Sequence, residues 1–137
     1  MTRSKRKLVA LIAVWLVAVL ASMPSALANV PAGTFAGDTS QDRPVTVRVN
    51  AKEEVTFFKV VIEVTGMFGC VVTWKAGDLD APIADDGTFV VRGEDGLDSV
   101  VVKGEFVSRR RAEGTAKTSL IGDCIGDKKV TWSATRS

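Results

Sequence analysis

From Pro44 onward, apolar and polar residues alternate along the chain. Valines at 45, 47 and 49 are separated by Thr46 and Arg48, the period of two expected of a strand with one buried face. Val55 to Val64 repeats the pattern over a longer stretch, with Phe58, Val60, Ile62 and Val64 on one face and Lys59 and Glu63 on the other. Cys70, Val72 and Trp74 share a face of the next segment, which predicts that the indole packs inside the core near Cys70. Asp86-Gly87 and Asp95-Gly96 are turn dipeptides, because glycine tolerates the positive φ of tight hairpins, and they bracket a predicted strand at Thr88 to Arg92.

Residues 98 to 107 predict a further strand, with Val100, Val102 and Phe106 on one face and Lys103 and Glu105 on the other. A polar hairpin at Arg109 to Glu113 leads into a strand at about Gly114 to Leu120. After a turn region at Gly122 to Asp127, Lys128 to Thr135 closes the pattern with Val130, Trp132 and Ala134 facing inward. Ahead of all these, residues 29 to 43 are rich in Gly, Ala, Asp, Ser and Thr and predict an entry segment with one short strand around Thr34 to Ala36. No stretch after residue 28 carries an apolar period near 3.6, so the expectation is an all-β chain of about seven or eight antiparallel strands. Periodicity does not separate a β-sandwich from a partly closed barrel, and the sandwich is favoured here.

The first 28 residues follow a different rule. Arg3, Lys5, Arg6 and Lys7 precede an apolar run from Leu8 to Leu20; Pro24 breaks it, and Ala26-Leu27-Ala28 supplies small side chains at the positions a signal peptidase reads. Residues 1–28 are therefore expected to be a cleaved secretion signal, with one β-domain at 29–137. The alternative is an uncleaved anchor, if the apolar stretch extends to Val30, but Pro24 and the small triplet argue against it. No cysteine lies near the cut, so a lipid-modified N-terminus is not expected, nor is stable membrane insertion after cleavage.

Removal of the signal changes the charge. It holds four of the 18 bases and none of the 16 acids, which leaves 14 against 16 and a net charge of −2. A nucleic-acid partner is therefore not implied. Cys70 and Cys124 are an even pair in a chain sent to an oxidising compartment, and a disulfide between them is expected. A redox or metal pair is the poorer reading, since there is no CxxC spacing and no histidine.

Gly33-Thr34-Phe35, Gly37, Thr39-Ser40-Gln41, Arg43-Pro44-Val45, Cys70, Asp86-Gly87-Thr88-Phe89, Val102, Gly104, Phe106, Ala112, Gly114, Cys124 and Val130-Thr131-Trp132 occur in an order that resembles a group of uncharacterised secreted all-β domains from actinobacteria and related bacteria. The resemblance runs over nearly all of the chain after the signal. It implies fold and export, and it carries no catalytic or binding motif with it.

The chain has neither histidine nor tyrosine, which removes the commonest general base, the usual zinc and copper ligand and the Ser-His-Asp and Cys-His arrangements. Asp78, Asp80, Asp85 and Asp86 lie close together in one loop. They fit a glycosidase carboxylate pair or a calcium loop in principle, but a small β-domain offers little room for a sugar cleft and the spacing matches no EF-hand. Turn chemistry is the better account of these acids, as it is for Asp123 and Asp127. Trp74 and Trp132 alternate with core valines, so they read as core rather than as a sugar-stacking platform, whereas Phe57 falls on the outer face.

Arg109, Arg110 and Arg111 form the only like-charged run after the signal, at an expected hairpin tip, with Glu105 and Glu113 near enough to offset part of it. The expectation is a non-catalytic, secreted extracellular or envelope module without a cofactor, meeting an envelope polymer or another protein. Two alternatives stand beside it: a secreted inhibitor presenting the basic hairpin to a trypsin-like protease, and a barrel with an internal cavity for an apolar ligand.

Overall fold

The computed structural model describes residues 29–65 and 69–137. The expected signal and its cleavage site at Ala28 lie outside the described residues. The strands are β1 (Gly33–Thr39), β2 (Pro44–Val49), β3 (Glu54–Val64), β4 (Cys70–Ala76), β5 (Ala81–Pro82), β6 (Thr88–Asp95), β7 (Asp98–Phe106), β8 (Arg111–Leu120) and β9 (Gly126–Arg136). All pair antiparallel in one sheet of order β4-β3-β2-β1-β9-β8-β7-β6, with the two-residue β5 added to the start of β3. The all-β antiparallel expectation holds. Of the two architectures it left open, the nearly closed barrel is the one formed, in place of the favoured sandwich.

The reason lies in side-chain size on the inner face. Gly37, Gly104, Gly114, Ala112, Ala116 and Ala134 occupy inward positions on the neighbouring strands β1, β9, β8 and β7. A Cβ on Gly114 would lie 1.9 Å from the Lys103 carbonyl oxygen, and one on Gly104 would lie 2.3 Å from the Phe89 ring. With these small residues on one wall, the large ones fill the interior. Phe35 stacks edge-on to Phe106 at 5.1 Å, Phe106 meets Phe89 at 5.5 Å, Phe89 meets Trp132 at 6.2 Å, and Trp132 meets Phe58 at 5.6 Å. Valines at 45, 47, 55, 60, 64, 102 and 130 close the remaining space, as the alternation along each strand predicts.

Several boundaries differ from those expected. β1 runs the full length of Gly33–Thr39, β6 continues past Arg92 to Asp95, and β8 begins at Arg111 rather than Gly114. β5 was not foreseen, because a two-residue pairing inside a loop rich in Asp and Gly has no periodicity to read. Phe57, expected on the outside, is half-buried there, with the Arg48 guanidinium 4.6 Å above its ring.

The strand order gives the barrel two distinct ends. The loops at 40–43, 96–97 and 121–125 lie at one end with the end of β3 and the start of β4, and those at 50–53, 77–87 and 107–110 lie at the other. The first is cross-linked by the Cys70–Cys124 disulfide, with 6.2 Å between the Cα atoms, which ties the start of β4 to the β8–β9 loop. There the Gln41 amide acts as a short strand, donating to the Glu63 carbonyl and accepting from the Glu63 N–H, both at 2.8 Å. β4 and β6, the two ends of the strand order, do not pair with each other, and an open seam lies between them.

Candidate partner-binding surface

The arginine run predicted from sequence sits on the β7–β8 hairpin. The Val107 and Ser108 N–H groups both donate to the Arg111 carbonyl, at 3.1 and 3.4 Å, and the Arg110 N–H donates to Ser108 Oγ at 3.2 Å, so the tip is a compact turn. Arg109, Arg110 and Arg111 are all exposed. Arg111 forms an ion pair with Glu113 at 3.4 Å, which accounts for one of the two acids expected to offset the run. Arg109 and Arg110 form no ion pair among the described residues, and neither does Glu105.

Pairing of β8 with β9 adds a residue that sequence reading missed. Thr135 lies opposite Arg111, and the next residue, Arg136, donates its N–H to the Arg110 carbonyl at 2.8 Å. The Arg136 guanidinium in turn reaches the Ala32 carbonyl at 2.9 Å and stays exposed. Four arginines from two separate parts of the chain thus lie at one end of the barrel, with the Arg136 guanidinium held on the β1 side of β9. Charge of one sign on a rigid barrel end attracts anions, and guanidinium groups bind phosphate and carboxylate oxygens in bidentate fashion. Local pattern gave no signal for Arg136, which lies one position beyond the last predicted strand, Lys128 to Thr135.

Arg111 also stands on the rim of a groove of about 750 Å³ on the outer face of the barrel. Lys103, Glu105, Glu113, Thr115 and Thr131 line it, and its floor includes Trp132, whose buried Nε1 has no hydrogen-bond partner among the described residues. Glu105 and Glu113 lie directly opposite each other on neighbouring strands, a like-charge pairing that costs stability and that Arg111 relieves on one side only.

The remaining candidates fall into structural roles. Trp74 is half-buried, and its Nε1 donates to Thr118 Oγ1 at 3.0 Å; that hydroxyl then donates to the Ser99 carbonyl at 3.0 Å. Asp86 Oδ1 accepts from the Thr88 hydroxyl at 2.6 Å and the Thr88 N–H at 3.1 Å, which holds its carboxyl below the ordinary 3.8. This acid therefore caps a turn. Among the described residues, no three His, Cys, Asp or Glu side chains gather as metal ligands, Asp78, Asp80 and Asp85 included. Phe35, Phe58, Phe89, Phe106 and Trp132 occupy the barrel interior, where the apolar-ligand alternative requires an open cavity. Compared with known proteins, the chain matches no family model and no curated sequence.

Proposed function

We propose that this chain is an exported, non-catalytic binding module that meets an anionic partner outside the cytoplasm, an envelope polymer bearing phosphate or carboxylate groups, through the barrel end bearing Arg109, Arg110, Arg111 and Arg136. The observation that carries the reading is the placement of these four exposed arginines at one barrel end, with Arg109 and Arg110 unpaired among the described residues. The basic, apolar and small-residue order of residues 1–28 supports export, and the disulfide supports an oxidising destination. No helix among the described residues is long and apolar enough to cross a membrane. The absence of histidine and tyrosine supports a non-catalytic role.

Retention of the oxidised chain 29–137 on immobilised wall polymer tests this. Replacing Arg109, Arg110 and Arg136 together by alanine is expected to weaken binding at least ~10-fold, and raising the salt from 0.05 to 0.5 M is expected to weaken the parent similarly, since exposed charges are screened within roughly 10 Å at 0.1 M. Binding indifferent to both the substitutions and the salt would overturn the reading.

A further inference from the structure

Strand β6 ends the sheet on one side, and beyond Thr88 its outward backbone groups face no neighbouring strand. The Thr88 carbonyl accepts from the Ala84 N–H at 2.8 Å and the Thr88 N–H donates to Asp86, both away from β7, while the Gly87 carbonyl accepts from Phe106 N–H at 2.9 Å on the β7 side. Alternation then turns the N–H and C=O groups of Val90, Arg92 and Glu94 towards the open seam. Their side chains stand exposed on the outer face. The cross-strand neighbours of Arg92 and Glu94 are Val101 and Ser99, and neither residue forms an ion pair among the described residues. β6 contains no proline and no break in register with β7, two of the devices that protect a free edge, and the charges it carries are of both signs, Arg92 against Glu94 and Asp95.

The seam beside it is a cleft of about 370 Å³ with Thr73 and Lys75 of β4 on its far wall. From β4, the Trp74 ring reaches beneath β6, where a Cβ on Gly93 would lie 3.5 Å from Cε3. The edge of β6 is thus supported from the inside and left unpaired along the sheet.

We propose that β6 pairs with β6 of a second copy of this chain, antiparallel, about a two-fold axis through Gly93. In this register Arg92 lies opposite Glu94 of the second copy and Glu94 opposite its Arg92. Both positions direct their backbone groups to the seam, so the two pairs exchange roughly four N–H···O=C bonds, as hydrogen-bonded antiparallel pairs do. Gly93 falls on the axis, at the non-hydrogen-bonded position where strands approach most closely. The turn bearing Leu97, 73% exposed, comes alongside Val90 of the second copy, itself 46% exposed. A register centred on Val91 instead sets Arg92 opposite Val90 and Glu94 opposite Thr88, whose backbone groups Ala84 and Asp86 already occupy. Charge and hydrogen bonding therefore both select Gly93. An isologous contact of this kind closes on itself as a dimer and stops.

Sedimentation velocity of the oxidised chain 29–137, from micromolar to millimolar concentration, tests the proposal. The parent is expected to form a dimer with increasing concentration. Arg92→Glu and Glu94→Arg, each alone, place like charges opposite each other and should weaken the dimer at least ~10-fold, whereas the double variant restores it. Mixing the two single variants should give a heterodimer that neither forms alone. Both residues are exposed on the outer face, so far-UV circular dichroism should be unchanged throughout. A parent that stays monomeric over the whole range, or a dimer that ignores both reversals, overturns the proposal. Variants at Arg109 and Arg110, on a hairpin at the opposite barrel end, leave this assay unaffected.

Discussion

Reduction of Cys70–Cys124 removes the only covalent restraint on the free β4 edge. The bond closes a loop with a sequence separation of 54, for which chain entropy gives about 4 kcal/mol of stabilisation at 25 °C. Set against the unfolding entropy of a domain of 109 residues, this lowers the thermal midpoint by about 15–20 °C. The loss should also be uneven. β4 has a ladder partner only in β3, whereas β8 and β9 each pair on both sides. Amide exchange, followed with and without a dithiol reductant, is therefore expected to accelerate earlier in residues 70–76 than in residues 111–120 and 126–136. The Cys70→Ala/Cys124→Ala variant should behave like the reduced parent. A midpoint shift under ~5 °C, or exchange that rises uniformly over all strands, would refute the reasoning, since either result means that the bond restrains neither the unfolded chain nor this edge.

Trp74→Phe keeps the ring beneath β6 but deletes the donor to Thr118, so urea unfolding should show a loss of ~1 kcal/mol; in the Thr118→Val background the same change should cost measurably less. Gly114→Ala brings a methyl group against the Lys103 carbonyl and the Gly104 Cα, neither of which can rotate away, and should destabilise by ~3 kcal/mol in the same assay. Asp86 has a folded pKa below 3.8, so its contribution is complete above that value and is lost as pH falls through the folded pKa. Asp86→Asn should accordingly flatten the acid limb of the stability profile below pH 3.8, read from thermal midpoints, while the slope above pH 5 stays that of the parent.

Local pattern carried most of the strands into view, because inward and outward residues alternate within a few positions of each other. Val45, Val47 and Val49, or Val100, Val102 and Phe106, declare their face without reference to any other segment. The choice of barrel over sandwich depends on how strands curve against their neighbours. Gly37, Gly104 and Gly114 mark that curvature, but a glycine on an unassigned strand reads equally well as a turn or a bulge. The disulfide was accessible through cysteine count and compartment, since only one pairing exists.

What remained hidden is what pairing across the sheet creates. Arg136 joins the hairpin arginines because β9 and β8 are neighbours, a contact over 26 positions of sequence that no local window contains. Thr118 is fully buried on an otherwise apolar face, and its hydroxyl is tolerated there because it accepts from Trp74, 44 positions away, and donates to the Ser99 carbonyl, 19 positions away. The free edge of β6 depends on both effects at once. Its alternating residues resemble those of any interior strand, and it becomes an edge only because β4 ends the other side of the sheet without reaching it. Arg92 and Glu94 then acquire a meaning that spacing alone does not supply. Two opposite charges flanking a glycine are unremarkable on a paired strand, but on an unpaired one they are self-complementary about that glycine.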